Sequence, residues 1–413
     1  MRKNGVNRTL TPIDGGVCAP SGFRAGGIYA NIERKQENVS RETNIIPRAD
    51  LGLLLADRRY PTACVFADGR CGVPSKVTKK HIQSGYSRAM LVNSGIANAF
   101  GESIEKAEKT TRRICQKVAK VAKIIEEDVA IASTGKLGLP FDETPVLENI
   151  DMLVQSVTAT SEGSLALATA MMTTDYKPKQ LAFSFYVGDV PCKIGVVCKG
   201  SARVCPNMAT TLCFITTDVC ISPKMLDKAL RSAVSETLNN LVGDGISSPN
   251  DCAYIIASGK AGNYIIENSD SEYRKFLYAL KETLFFVCKA LVLDEPNKKL
   301  LVCKMQGVKS SRLAKFLAKE VIKVSGVRTK IAQNAFDVED VLHILSTVDE
   351  NIPLERTEIS IATNAGVRVL YEDGKTLNGA DKPFIDENNI EYVEIRVQLN
   401  DGNYQATAIG NDG

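Results

Sequence analysis

Tryptophan is absent from this chain of 413 residues, and histidine nearly so, with only His81 and His343. So little histidine removes the commonest routes to an activated nucleophile, because Ser-His-Asp and Cys-His arrangements need an imidazole beside the attacking atom. His81 follows Lys79-Lys80 in a polar stretch and reads as a surface side chain. His343 sits in Val341-Leu342-His343-Ile344-Leu345 and reads as packed. The twelve cysteines form no Cys-x-x-Cys pair and no zinc-ligand spacing, so no metal site is expected. Cys192, Cys198, Cys205, Cys213 and Cys220 fall in or near apolar, strand-like runs and read as small buried hydrophobes of a reducing compartment. No apolar run approaches the ~20 residues that span a bilayer. No apolar segment follows Met1-Arg2-Lys3-Asn4-Gly5, so a signal peptide is not expected and the cytoplasm is the expected address. Net charge is +3 from 51 basic and 48 acidic residues, which gives no reason to expect nucleic acid or a membrane surface as partner.

What is present suits a large soluble fold. Hydrophobic residues make up 44%, enough for a core that needs no covalent staples. Strand-like and helical segments alternate, which points to a mixed α/β (α+β) fold. Strands are expected near 89–93, 129–132, 183–187, 193–198, 212–217, 253–257 and 300–305, and in a β-rich tail at 358–362, 367–371 and 392–399. Gly188-Asp189 marks a hairpin. Helices are expected over 103–122, 162–172, 271–292 and 310–324. Another opens at Ser222-Pro223, a capping residue followed by proline, and runs on to Gly243. Basic residues between Lys106 and Lys123 share a segment with the stripe Ile114, Val118, Val121 and read as the solvated face of an amphipathic helix. Asn31 to Arg41 reads as a loop or flexible insertion.

One segment carries chemistry. Lys199-Gly200-Ser201 is followed by Cys205-Pro206-Asn207-Met208-Ala209-Thr210-Thr211, just before an apolar strand. A threonine here can act as a nucleophile made by self-cleavage: its hydroxyl attacks the Ala209 carbonyl, the peptide bond breaks, and Thr210 becomes a new N-terminus. Its α-amine then lies beside its own hydroxyl and can serve as general base without an imidazole. An α-amine has an ordinary pKa of about 7.7–8.0, so a useful fraction is neutral near neutral pH.

The segments around that junction carry a resemblance. Gly15-Gly16-Val17 with Gly22-Phe23-Arg24-Ala25, Val92-Asn93-Ser94-Gly95 with Ala97-Asn98-Ala99, Ala132-Ser133-Thr134-Gly135 with Leu137-Gly138, Thr173-Thr174-Asp175 with Pro178-Lys179, and Pro206 to Thr210 occur in this order. The chain thereby resembles the ornithine acetyltransferase / glutamate N-acetyltransferase family of arginine biosynthesis. The resemblance implies a layered sandwich of mixed sheets flanked by helices, of N-terminal-nucleophile type. It implies cleavage between Ala209 and Thr210 into an α-chain region, 1–209, and a β-chain region, 210–413, that form one intertwined catalytic unit. It assigns Thr210 as nucleophile, the Thr134 hydroxyl and Gly135 N–H to the oxyanion hole, and Thr173, Lys199, Thr210 and Glu295 to substrate. The implied reaction is ping-pong: acetyl passes from N-acetylornithine to Thr210 and then to glutamate. In bifunctional members acetyl-CoA also donates. No metal or redox cofactor is implied, and cleaved protomers are expected to assemble as α2β2.

The chain also departs from that pattern. Ala202-Arg203 stands in place of Gly-Met, Ile96 in place of Asn, and Phe100-Gly101 lacks an expected Thr. The loop from Gly243 to Asp251 is longer than the family's, and Asp294-Glu295-Pro296-Asn297-Lys298-Lys299 alters the context of Glu295. A Pro-Asn-Trp-Gly-Arg segment is missing near Gln333 to Asp337. The sequence stops at Asn411-Asp412-Gly413, short of a tail that carries an Asn and a Thr for substrate. Lost charge-assisted bonds, each worth roughly 1.5–3 kcal/mol, would weaken substrate binding. Two other readings are therefore carried beside the transferase: a family member with little or no turnover, and a related N-terminal-nucleophile amidohydrolase.

Overall fold

The computed structural model describes all residues except 1–9, 34–47, 67–70, 201–210, 244–247, 349–350 and 378–390. The Ala209-Thr210 junction, Ala202, Arg203, Cys205 and most of the polar stretch from Asn31 to Arg41 thus lie outside the described residues. Two compact units are present. Described residues of the first fall in 10–200, 211–234 and 248–287, those of the second in 235–243 and 288–413. The first unit therefore takes chain from both sides of position 209.

In the first unit the strands are β1 (Thr11–Pro12), β2 (Phe23–Ile28), β3 (Leu51–Phe66), β4 (Tyr86–Asn93), β5 (Val129–Ser133), β6 (Lys179–Val187), β7 (Val190–Lys199), β8 (Leu212–Thr217) and β9 (Cys252–Ala257). The helices are α1 (Val73–His81), α2 (Ile104–Ala122), α3 (Thr144–Ser156), α4 (Ser161–Met171) and α5 (Pro223–Glu236), with α6 (Ser271–Val292) leading into the second unit. Strand order is β1-β6-β7-β8-β9-β3-β4-β5, with β2 beside β3. β3 belongs to two layers. Leu51 to Leu55 pair with β2 and β4, while Thr62 to Phe66 pair with β9. Between them Asp57, Arg58 and Arg59 are exposed and the register shifts, so the strand passes from one sheet to the other.

Alternation along the strands fills the space between these layers. Met90, Val92, Ala130 and Ala132 share one cluster with Val197, Phe214, Tyr254 and Ile256. Leu91, Val129 and Ile131 point to the opposite face, where Ile114 and Val118 of α2, Ile150 and Leu153 of α3 and Val77 of α1 cover them. On the outer side of the other layer, Phe286 of α6 packs on Phe183 of β6 with ring centroids 5.0 Å apart. The order is helix, sheet, sheet, helix, the layered sandwich expected. β4 and β5 run parallel, which requires a crossover, and α2 supplies it. The Ser103 hydroxyl caps α2 by accepting the Lys106 N–H, and Lys106, Lys109, Arg112, Arg113 and Lys120 are exposed, as the apolar stripe required.

Three sequence expectations are corrected here, two of them for histidines. His81 is buried, with Nδ1–H donating to the Val129 carbonyl at 2.8 Å, and His343 is exposed. The helix period decides both: His81 shares a buried stripe with Val73 and Val77, whereas Val341, Ile344 and Leu345 turn inward and leave His343 outside. The helix opened by Ser222 ends at Glu236, not at Gly243, because Thr237 leaves helical geometry and a short 3-10 turn follows over Leu238–Asn240. Of the cysteines named above, Cys192, Cys198 and Cys213 are buried and Cys220 is half-buried.

The second unit is built on β10 (Leu300–Val308), β11 (Glu358–Thr363), β12 (Gly366–Glu372), β13 (Lys375–Thr376), β14 (Tyr392–Gln398) and β15 (Tyr404–Asn411), in the order β13-β12-β11-β14-β10-β15. α7 (Ser311–Lys323), α8 (Ser325–Ala332) and α9 (Glu339–Val348) pack on it. Its core joins Leu301, Cys303 and Met305 to Leu317, Val321, Val393 and Ile395. Among the described residues no helix is long and apolar enough to cross a membrane, and no cluster of His, Cys, Asp and Glu could hold a metal ion.

Candidate active site

Parallel strands bring their C-terminal ends together, and the loops beyond them are natural places for a site. Asn93 and Ser133 end β4 and β5 side by side. The loops that follow are laced to each other. Thr134 N–H donates to Asn93 O at 2.9 Å, Lys136 N–H to Gly95 O at 2.8 Å, Ala97 N–H to Lys136 O at 3.0 Å and Gly138 N–H to Ala99 O at 2.9 Å. The Ser133 hydroxyl donates to Asn93 Oδ1 at 2.6 Å, and Asn93 Nδ2 donates to Ile96 O at 2.9 Å. Gly135 has φ +128°, and a Cβ there would lie 2.1 Å from Gly95 O. Only glycine fits at this crossing of two backbones. Ile96 packs into the apolar cluster under β4, so this departure from the family pattern is accommodated in the core.

Lys199 enters from the other layer. It ends β7 opposite Leu212, which opens β8, so the junction segment is the connection between these two strands. Lys199 is 1% exposed, and its Nζ donates to Thr134 Oγ1 at 3.3 Å. Burial pulls its pKa below that of an ordinary lysine, although the carboxylates of Asp175 and Asp251 oppose the shift. Thr173 sits in the turn between α4 and β6. Its N–H donates to Asp175 Oδ2 at 3.1 Å and its carbonyl accepts from Arg48 Nη1 at 3.3 Å. Thr134, Gly135, Thr173 and Lys199 all lie in the first unit, and Lys199 joins Thr134 directly. Thr211 is buried, and its carbonyl accepts the Cys252 N–H at 3.1 Å; Thr210 precedes it in sequence and lies outside the described residues. Glu295 belongs to the second unit, half-buried in the turn between α6 and β10.

Two further residues organise these loops. Asn250, 2% exposed, donates through Nδ2 to Ala97 O at 2.6 Å and Ser133 O at 3.0 Å, and so ties the approach to β9 to both loops. Asp175 joins the Thr173 turn to Gly200. Both stand in segments that the sequence singles out, but Asn250 reaches Ala97 and Ser133 across 153 and 117 positions and Asp175 reaches Gly200 across 25, and no local pattern announces those contacts.

The site can therefore present a buried cation, a hydroxyl and a tightly turned backbone at the approach to the strand that opens after the Pro206 to Thr210 motif. A family model described as the ArgJ family matches residues 37–412. The chain belongs to the ArgJ family. An ArgJ relative from Lactococcus lactis, named arginine biosynthesis bifunctional protein ArgJ, is 31% identical over 414 residues, covering 98% of this chain and 96% of its own. ArgJ 1 of Clostridium acetobutylicum is 32% identical over 372 residues, covering 88% and 89%. The ArgJ protein of Caldanaerobacter subterraneus is 29% identical over 402 residues, covering 97% and 96%.

Proposed function

We propose that this ArgJ-family protein is a self-processing N-acetyltransferase of arginine biosynthesis, carrying acetyl from N-acetylornithine to glutamate on Thr210. Family membership across residues 37–412, with the Pro206 to Thr210 motif intact, carries the reading. The convergence of Thr134, Gly135 and Lys199 supports it.

In this mechanism cleavage between Ala209 and Thr210 frees the Thr210 α-amine. The amine takes the hydroxyl proton as Oγ attacks the acetyl carbonyl of N-acetylornithine. The Thr134 hydroxyl and Gly135 N–H receive the negative charge that develops on the carbonyl oxygen. Lys199 holds a substrate carboxylate through a charge-assisted hydrogen bond, with Thr173 beside it. As the C–N bond breaks, the proton passes to the departing ornithine amine. The glutamate amine then attacks the Thr210 ester and returns the hydroxyl its proton. Acetyl-CoA serves as a second donor, no cofactor takes part, and the cleaved protomer assembles as α2β2 in the cytoplasm.

The test is direct. On a denaturing gel the purified protein runs as fragments of 209 residues and the remaining 204, and N-terminal sequencing of the smaller begins at Thr210. Mixed with N-acetylornithine and glutamate, it releases ornithine. A single full-length band with no ornithine released would sink the proposal.

A further inference from the structure

The turn that carries Thr173 is built around a carboxylate to which the mechanism above gives no part. Asp175 has a side chain 1% exposed. Its Oδ1 accepts the Gly200 N–H at 2.7 Å and Lys179 Nζ at 2.8 Å, and its Oδ2 accepts the Thr173 N–H at 3.1 Å. Gly200 directly follows Lys199, and Lys179 opens β6 opposite Cys198 of β7. One carboxylate thus grips the Thr173 turn, the start of one strand and the end of the next.

We propose that Asp175 is a positioning residue, fixing the Thr173 turn against the end of β7 so that Thr173 and Lys199 meet the substrate carboxylate as one preformed site. The inference rests on the reading of Lys199 and Thr173 as substrate ligands. Two lysines approach Asp175, and they are used differently. Lys179, with a side chain 2% exposed, pairs with it directly, while Lys199 points its Nζ at Thr134 Oγ1. Asp175 therefore offsets the charge of Lys199, and the lysine head stays directed at Thr134. A carboxamide in its place has one acceptor oxygen for three donors, and its NH2 would face an N–H or an ammonium. The charged groups acting on Lys199 are Asp175 and Asp251, which favour its protonated form, and Lys179 and Arg48, which oppose it. Loss of the Asp175 charge lets the proton leave Lys199 more easily.

The experiment compares the full-length, self-processed protein with Asp175→Asn and Lys199→Met. For Asp175→Asn, loss of one charge-assisted bond and its geometry should raise KM for N-acetylornithine and glutamate about tenfold, with kcat within about threefold. The alkaline limb of kcat/KM should also move to lower pH, which a merely structural residue would not cause. Unchanged KM and an unmoved limb overturn the proposal. If Lys199→Met leaves KM unchanged, the reading of the substrate site has failed; if it raises KM while Asp175→Asn does not, this inference alone has failed. Should Asp175→Asn not yield folded, cleaved protein, Asp175→Glu keeps the charge but displaces the oxygens. It should keep the parent's alkaline limb with a raised KM, and a parental KM would refute the positioning role.

Discussion

In the second unit the cluster on one face of the sheet is apolar, with Leu301, Cys303 and Met305 of β10 closed under Leu317 and Val321, and on the other face the buried Glu394 carboxylate pairs with Lys304 and Arg396, whose side chains reach the surface. The first unit has an apolar core of the same kind, but at the ends of β4, β5 and β7 it also buries Asn93, Ser133, Thr134, Asp175, Lys199 and Asn250. Burying polar and charged groups is costly even when each finds a partner, and a backbone crossing that admits only glycine adds to the constraint. An arrangement kept against that cost, at strand ends, makes these residues the candidate site. The second unit buries a carboxylate too, but Glu394 pairs with lysine and arginine side chains that stay more than 40% exposed, whereas Lys199 and Lys179 are themselves buried with Asp175.

The comparison can be broken at several points. Thr210→Ala should abolish both events at once, leaving one full-length chain on a denaturing gel and no ornithine release; cleavage that persists would move the nucleophile to another residue. Gly135→Ala puts a methyl group 2.1 Å from Gly95 O and disturbs the loop proposed to receive the developing charge. By analogy with losing one oxyanion donor, kcat should fall about 10²–10³-fold in a steady-state assay. In the second unit, Leu317→Ala should cost roughly 2–5 kcal/mol, seen as a lower unfolding midpoint in denaturant, with KM unchanged; a change in KM there would blur the contrast. Asn250→Ala strips donors from the Ala97 and Ser133 carbonyls, worth about 1–3 kcal/mol, and should lower kcat/KM about tenfold.

The smallest effect concerns stability. Burial lowers the pKa of Lys199 in the folded protein, so the unfolded chain binds more protons and the buried charge destabilises the fold at neutral pH. Stability gains as pH rises through the lowered value toward the ordinary 10.5. Lys199→Met should therefore raise the melting temperature at neutral pH, with the advantage shrinking in alkaline buffer. An equal advantage at both pH values would show that charge is not the cause.

Much of the fold follows from local pattern. The stripe Ile114, Val118, Val121 predicts a helix over 103–122 against the observed Ile104–Ala122, and Gly188-Asp189 places the β6–β7 hairpin. β3 escapes such reading because Asp57, Arg58 and Arg59 break its apolar run, and a strand that crosses between two sheets can expose residues at the crossing. The site divides in the same way. Thr134, Gly135, Thr173 and Lys199 stand out as members of short motifs. Asn250 reaches Ser133 across 117 positions, and such a contact leaves no periodic trace.

The sequence by itself settled the ArgJ-like order of motifs, the scarcity of histidine that turns attention to a threonine with its own amine, and the amphipathic stripes that make the helices. These depend on neighbours within a few residues. Tertiary structure decided that His81 is inside and His343 outside, that Gly135 crosses Gly95 where no side chain fits, and that Asp175 joins Thr173 to Gly200. The physical reason is that strand pairing and layer packing set which distant groups share a desolvated space, and a buried charge or amide is shaped by those partners rather than by its neighbours in the chain.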